Sequence, residues 1–211
     1  MPGEFIADVE TIREHARRHM ENGAVTEAYL AEPGRTIELL NAALATELVC
    51  VLRYRHHHFM ATGIHRDAAA REFKEHADNE QQHADLLAER IHQLGGVPQM
   101  NPASLTSRSY SRYVEGESLE EMIREDLVAE RVVIEVYSEM IRYFGDRDIT
   151  TRRLLESLLE DEEEHADDMS ELLYLVNPSS GETQGRDPAL VPKRAVEEAP
   201  PGARPEDRKS A

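Results

Sequence analysis

From Arg35 onward, apolar residues recur every three or four positions, the period of an α-helix with one buried face. Ile37, Leu40, Leu44, Leu48, Val51 and Leu52 form such a set and predict a helix over about Arg35–Ala61, with Gly63 as its stop. Asp67 is placed to cap a second helix running to Leu94, where Gly95-Gly96 and Pro98 end it. A third begins at Ser118, whose pairing with Glu121 in "SLEE" reads as a capping box, and runs to Phe144 before Gly145. Asp148 caps a fourth, to about Val176 before Asn177-Pro178. Each main helix would be about 40 Å long at 1.5 Å per residue.

Topology follows from the connections. The first-to-second and third-to-fourth links are short, so those pairs are antiparallel hairpins. The Gly95–Gly116 link is long enough to travel the length of a bundle, and a short helix around Pro102–Tyr110 fits within it. The prediction is all-α: a four-helix bundle with one long crossover. A further amphipathic stretch, about Glu4–Glu21, places Phe5, Ile6, Val9, Ile12, Ala16 and Met20 near one face and predicts a short N-terminal helix ended by Asn22-Gly23. The 177–211 segment holds six of the ten prolines, almost no large apolar residues, and six acidic against six basic side chains. It cannot pack a core, so a domain over 1–176 with a disordered tail over 177–211 is expected.

The net charge of −18 argues against binding a bare phosphate backbone and favours cations as partners. DNA binding is therefore not expected. Cys50 is the only cysteine, which excludes an intrachain disulfide and a cysteine-built metal site within one chain. No apolar run is long enough to span a membrane, and the acidic N-terminus lacks a signal-peptide core. A cytoplasmic location is the expectation.

The chemistry is concentrated in a repeat. "EQQHAD" at Glu80–Asp85 is nearly duplicated by "EEEHAD" at Glu162–Asp167. Upstream, "LATELVCVLRY" and "LVAERVVIEVY" each place a Leu three residues before a Glu and a Tyr seven after it. Glu47 precedes Glu80 by 33 residues, and Glu130 precedes Glu162 by 32. Two related hairpins facing each other across a pseudo-two-fold axis account for this. Positions i and i+3 share a helix face, so each Glu-x-x-His projects as a unit. Glu47 and Glu130 sit within apolar frames, where a lone carboxylate is costly. Four carboxylates and two imidazoles meeting in mid-bundle would repel each other without cations. Two divalent ions would balance them, and oxygen-rich sites with one imidazole each suit iron or manganese.

These segments, with "LLNAALATELVCVLRY", "EQQHADLLAERIHQLGG", "DLVAERVVIEVY" and "LLEDEEEHADDM", resemble the ferritin-like superfamily, and within it the bacterioferritin and Dps-like branches, over about Arg35–Leu175. The resemblance implies a ferritin-like bundle with two iron ions per subunit. Glu80 and Glu162 would bridge them, while Glu47 with His83 and Glu130 with His165 would complete the two ends. Tyr54 falls where bacterioferritins carry a tyrosine near the metals, which implies an electron-donating role. The implied activity is ferroxidase chemistry with O2 or H2O2, storing Fe(III) in a homo-oligomeric shell. A manganese catalase or small oxygenase would use the same ligands. Gln81 stands where bacterioferritins place a haem-ligating Met, so haem is not expected. The lack of a fifth helix after the bundle leans toward a Dps-like dodecamer, with its metal site inside one subunit rather than between subunits.

Other candidates have plainer readings. His58 lies one turn beyond Tyr54, towards the metal face, but a solvated or interface role suits His56, His57 and His58 better. Cys50 reads as a buried structural thiol. His76, four residues before Glu80, is a weaker candidate for a metal path. Glu163 and Glu164 read as a solvated face.

Overall fold

The structure, a computed structural model, describes residues 8–180. It is all-helical among those residues: α1 (Val9–His15), α2 (Pro33–Met60), α3 (Arg66–Gln93), α4 (Leu105–Arg108), α5 (Leu119–Phe144) and α6 (Ile149–Val176). α2 packs along α3 and α5 along α6, and the two hairpins meet through α2 against α5 and α3 against α6. The crossover between α3 and α5 carries α4, which lies on α2.

Helix starts follow the chemistry of their caps. The Glu32 carboxylate accepts from the Gly34 and Arg35 amides, so α2 starts at Pro33, two residues earlier than the apolar pattern alone suggests. Asp67 does not cap α3. The N-cap is His65, without a side-chain hydrogen bond, and Asp67 lies inside the first turn, where its charge complements the helix dipole. Ser118 accepts from the Glu121 amide at 3.2 Å, while the Glu121 carboxylate reaches the Glu117 amide at 2.8 Å, a capping box displaced by one residue. Asp148 caps α6 as expected and is also gripped by Arg90 and Tyr29. Gly116 (φ +67°) closes the crossover where a Cβ would stand 2.9 Å from the Met122 amide nitrogen.

The N-terminal helix is shorter than expected. It ends at His15, and after Ala16 the chain turns at His19, whose φ is +49°. None of its residues is buried, and Val9 and Ile12 are each half-exposed. An amphipathic period shows that a face exists, not that something covers it. Contact with the bundle begins later, where Val25 and Tyr29 pack on its core. Residues 1–7 and most of the expected tail lie outside the described residues; a 3-10 turn, Pro178–Ser180, follows α6.

The core has two apolar halves. One gathers Leu40, Leu44, Leu87, Ile91, Tyr137, Phe144 and Leu158, the other Tyr54, Phe73, Ile123, Leu127 and Met169. Each fully buried large side chain contributes about 1.5–3 kcal/mol, so these halves hold the bundle together. In sequence, every candidate metal residue falls at the junction between them, as Glu47 does between Leu44 and Tyr54.

The apolar set proposed for α2 is only partly right. Leu40 and Leu44 are fully buried, but Leu52 is 53% exposed. α2 is instead covered on two sides, by the bundle and by the crossover; on the crossover side Ala45 and Val49 pack on Leu105, and polar residues continue that face. Arg53 donates to Asp126 at 2.8 Å and to Ser111 at 3.0 Å, and a His57 ring nitrogen lies 2.8 Å from Asp126. This network fastens the crossover and uses His57. His58 bonds to the Ala70 carbonyl at 2.6 Å, so the histidine run turns away from the candidate ligands.

Candidate metal centre

All six residues singled out by the repeat meet in mid-bundle. Glu47 on α2, Glu80 and His83 on α3, Glu130 on α5, and Glu162 and His165 on α6 are at most 4% exposed. They form two groups: Glu47, Glu80, His83 and Glu162; and Glu80, Glu130, Glu162 and His165. Each group offers one ligand atom per residue, all within 4.8 Å of one another. Glu80 and Glu162 belong to both. His83 Nδ1 lies 3.1 Å from Glu80, 3.0 Å from Glu162 and 3.8 Å from Glu47. His165 Nδ1 lies 3.3 Å from Glu80 and 3.8 Å from Glu162.

The residues fit a metal pair by a physical criterion. Glu47 Oε2, Glu80 Oε1, Glu130 Oε2, Glu162 Oε2 and His165 Nδ1 are buried without a hydrogen-bond partner. Buried polar atoms are ordinarily satisfied, and five orphans converging on one place are what a bound cation pair would satisfy. The supporting contacts agree. His83 turns its other nitrogen to Asp161 at 3.2 Å, the carboxylate backing that fixes the tautomer of a ligating imidazole.

Without metal, protons must carry the balancing charge. Burial, reinforced by Glu162 and Glu80, pushes the Glu47 carboxyl well above the usual range. Glu130 is raised likewise, by burial and then by Glu80 and Glu162. Burial would also raise Glu80, but the His165 and His83 imidazoles beside it outweigh that and hold the carboxyl well below its usual range. Burial alone would lower His165; the Glu162 and Glu80 carboxylates beside it outweigh that and push it up to about 11. His83 is raised in the same way, by Glu162, Glu47 and Glu80 against burial.

The tyrosines add what the sequence did not reveal. Tyr54, fully buried, donates to Glu130, and Tyr137 donates to Glu47. Each hairpin's tyrosine thus supports the other hairpin's carboxylate. Tyr137 was visible in the repeat but carried no assigned role, and Asp161 was missed. Cys50 is fully buried, and burial pushes its thiol well up, in keeping with a structural role.

Comparison with known proteins agrees with this geometry. The model of the ferritin-like domain matches residues 37–177. The chain belongs to the ferritin-like family. It is similar to the bacterioferritin of Desulfovibrio desulfuricans, 32% identical over 132 residues, covering 62% of this chain and 70% of that one. A nutrient stress-induced DNA-binding protein of Synechococcus sp. is 32% identical over 134 residues, covering 61% and 75% of the two chains. Among solved structures, a dodecameric thioferritin, the bacterioferritin-related protein of Bacteroides fragilis, superposes with a TM-score of 0.67 at 28% identity, covering 75% of this chain and 94% of that one. The D. desulfuricans bacterioferritin, described with a diiron site, superposes with a TM-score of 0.60 at 28% identity, covering 73% and 84%. The bacterioferritin and Dps-like resemblance drawn from the motifs and the ferritin-like fold class both hold. No described helix is long and apolar enough to cross a membrane.

Proposed function

We propose that this protein stores and detoxifies iron, oxidising Fe(II) at the mid-bundle centre and holding Fe(III) inside a homo-oligomeric cage. The observation that carries this reading is the convergence of five unpartnered, buried donor atoms in two groups that share Glu80 and Glu162. On this reading Glu80 and Glu162, common to both groups, would bridge two Fe(II) substrate ions, with Glu47 and His83 to hold one and Glu130 and His165 the other. Iron is the metal this reading takes: oxygen-rich coordination with one imidazole per ion suits it, and the similar D. desulfuricans bacterioferritin is described with a diiron site.

Each Fe(II) gives up one electron. One H2O2 accepts both and, with two protons, becomes two waters, so no hydroxyl radical is released. O2 is the alternative acceptor. The chain supplies position and charge: Tyr54 and Tyr137 fix the two terminal carboxylates, and the displaced protons leave from the imidazoles and from Glu47 and Glu130. Where only one Fe(II) is bound, Tyr54, in contact with Glu130, would supply the second electron and one of the two protons that H2O2 takes, becoming a tyrosyl radical. A dodecameric relative favours a dodecamer. The charge-based expectation against DNA binding is not carried forward, because a relative of equal identity is named for DNA binding.

Replacing both shared carboxylates, Glu80→Ala with Glu162→Ala, is expected to abolish rapid Fe(II) oxidation; unchanged rates would refute the centre. Iron is then counted per chain in the assembled peak after size exclusion. Many irons per chain mean storage. About two per chain, as one dinuclear centre holds, would keep the centre and point to a di-metal enzyme.

A further inference from the structure

Beside the dinuclear centre lies a cluster that the six ligands do not use. His76 on α3 is 4% exposed and stacks on His165 with ring centroids 4.2 Å apart. Its Nδ1 lies 3.2 Å from the Tyr54 hydroxyl. Tyr54 has one proton and gives it to Glu130, so its oxygen faces His76 as an acceptor and Nδ1 must carry the imidazole proton. In the neutral imidazole the Nε2 lone pair is then free to ligate. It points between two carboxylates, Glu72 on the same helix and Asp168 on α6, each 3.6 Å away. His76 Nε2 is buried and has no hydrogen-bond partner.

We propose that Glu72, His76 and Asp168 form a third divalent-cation site. Three observations carry it: an unpartnered nitrogen on a buried side chain, two carboxylates flanking it, and three ligand atoms within 4.8 Å of one another. The spacing suits a shared ion better than an ion pair. An imidazolium donating to either carboxylate would close to about 2.8 Å. Two ligand atoms on one ion at bond lengths of about 2.1 Å and a tetrahedral angle stand about 3.4 Å apart.

Exposure gives the site a direction. The Glu72 and Asp168 side chains are 33% and 23% exposed, leaving room for water ligands, whereas His76 reaches inward to His165 and Tyr54. The mixed nitrogen and oxygen donors select a first-row divalent ion such as Fe(II), Mn(II), Co(II) or Zn(II). The site stands on its own residues. Its role as a waiting position for ions bound inward rests on the dinuclear reading.

Co(II) tests it without redox turnover. The full-length protein, freed of metal and dialysed against Co(II), is expected to hold about three ions per chain, and Glu72→Gln/Asp168→Asn about two. Glu80→Gln/Glu162→Gln should keep the third ion, and adding the outer pair of changes should remove it. Because Glu72 and Asp168 are partly exposed, the outer variant should melt like the parent. Glu72→Gln alone is a second check, weakening the third Co(II) by about tenfold or more. Equal Co(II) counts in the parent and the outer double variant would overturn the third site. A Glu80→Gln/Glu162→Gln variant that binds as much Co(II) as the parent would instead overturn the dinuclear centre.

Discussion

Neutralising one terminal carboxylate should stabilise the metal-free protein while weakening its response to metal. Glu130 is fully buried and faces the Glu80 and Glu162 carboxylates. Burial and those neighbours raise its carboxyl well above 4.5, so holding it inside at neutral pH costs folding energy. The cost has a ceiling. If Glu130 stays protonated in the folded chain at pH 7, the penalty is the work of protonating a group that ionises near 4.5 when unfolded, about 3 kcal/mol. Gln is the neutral isostere: its carbonyl can still accept from Tyr54, and its amide can donate toward Glu162. Glu130→Gln should therefore gain up to about 3 kcal/mol at pH 7 in excess chelator.

The sign gives an internal control. A carboxyl raised on folding destabilises above its unfolded value and does nothing below it, so the gain should fade as pH drops from 7 to 4.5. Urea unfolding at fixed protein concentration and both pH values measures it. With Co(II) added, most of that gap should close, because a ligand at a hundredfold its dissociation constant stabilises the parent by about 2.7 kcal/mol per site, and the variant lacks one of the parent's sites. A variant less stable than the parent in chelator at pH 7, or a gain equal at both pH values, would refute the reasoning.

Further outcomes follow from neighbouring contacts. Metal must displace the proton on each charged imidazole, so titrating the metal-free protein with Zn(II) at pH 7 should release about two or more protons per chain, read with an indicator in weak buffer. Asp126→Ala leaves the 1%-exposed Arg53 guanidinium without its counter-ion and should cost roughly 3–5 kcal/mol in urea unfolding, without altering the Co(II) count. Tyr54→Phe and Tyr137→Phe each remove one hydrogen bond to a ligand carboxylate, so both should weaken Co(II) binding. Tyr54→Phe alone should also abolish a tyrosyl radical signal in samples frozen during Fe(II) oxidation, and a persisting signal would exclude Tyr54 as the donor.

The site was legible in the sequence because its residues break a strong rule. Glu47 and Glu130 each interrupt an apolar frame, and the two Glu-x-x-His units repeat at matched distance, so four helices of similar length had to bring them together. What remained hidden depends on pairing across helices. Tyr54 and Tyr137 were both visible seven residues after a Glu, but nothing local indicates that each crosses to the opposite hairpin's carboxylate. The role of His57 was hidden likewise, since its partner Asp126 lies 69 residues away. The N-terminal helix failed in the opposite sense, having a clear period but no bundle surface to cover it.

The pseudo-symmetry of the repeat also breaks where it matters for chemistry. Each half supplies the same inner ligands and one tyrosine, but the outer contacts differ. His83 is backed by Asp161, whose side chain is 44% exposed, and the imidazole stacked beside it, with ring centroids 5.9 Å apart, is that of His165, within the centre itself. His165 in turn stacks on His76, which also touches Tyr54 and faces Glu72 and Asp168. An ion at the Glu130–His165 end therefore has a line of nitrogen and oxygen donors leading outward, and one at the Glu47–His83 end has a single solvated carboxylate. Tyr54, the proposed electron donor, serves the first of these ends, and Tyr137 the other. Two positions built from the same ligands are thus unequal in access and in redox support, and this asymmetry arises from residues outside the repeated hexamers.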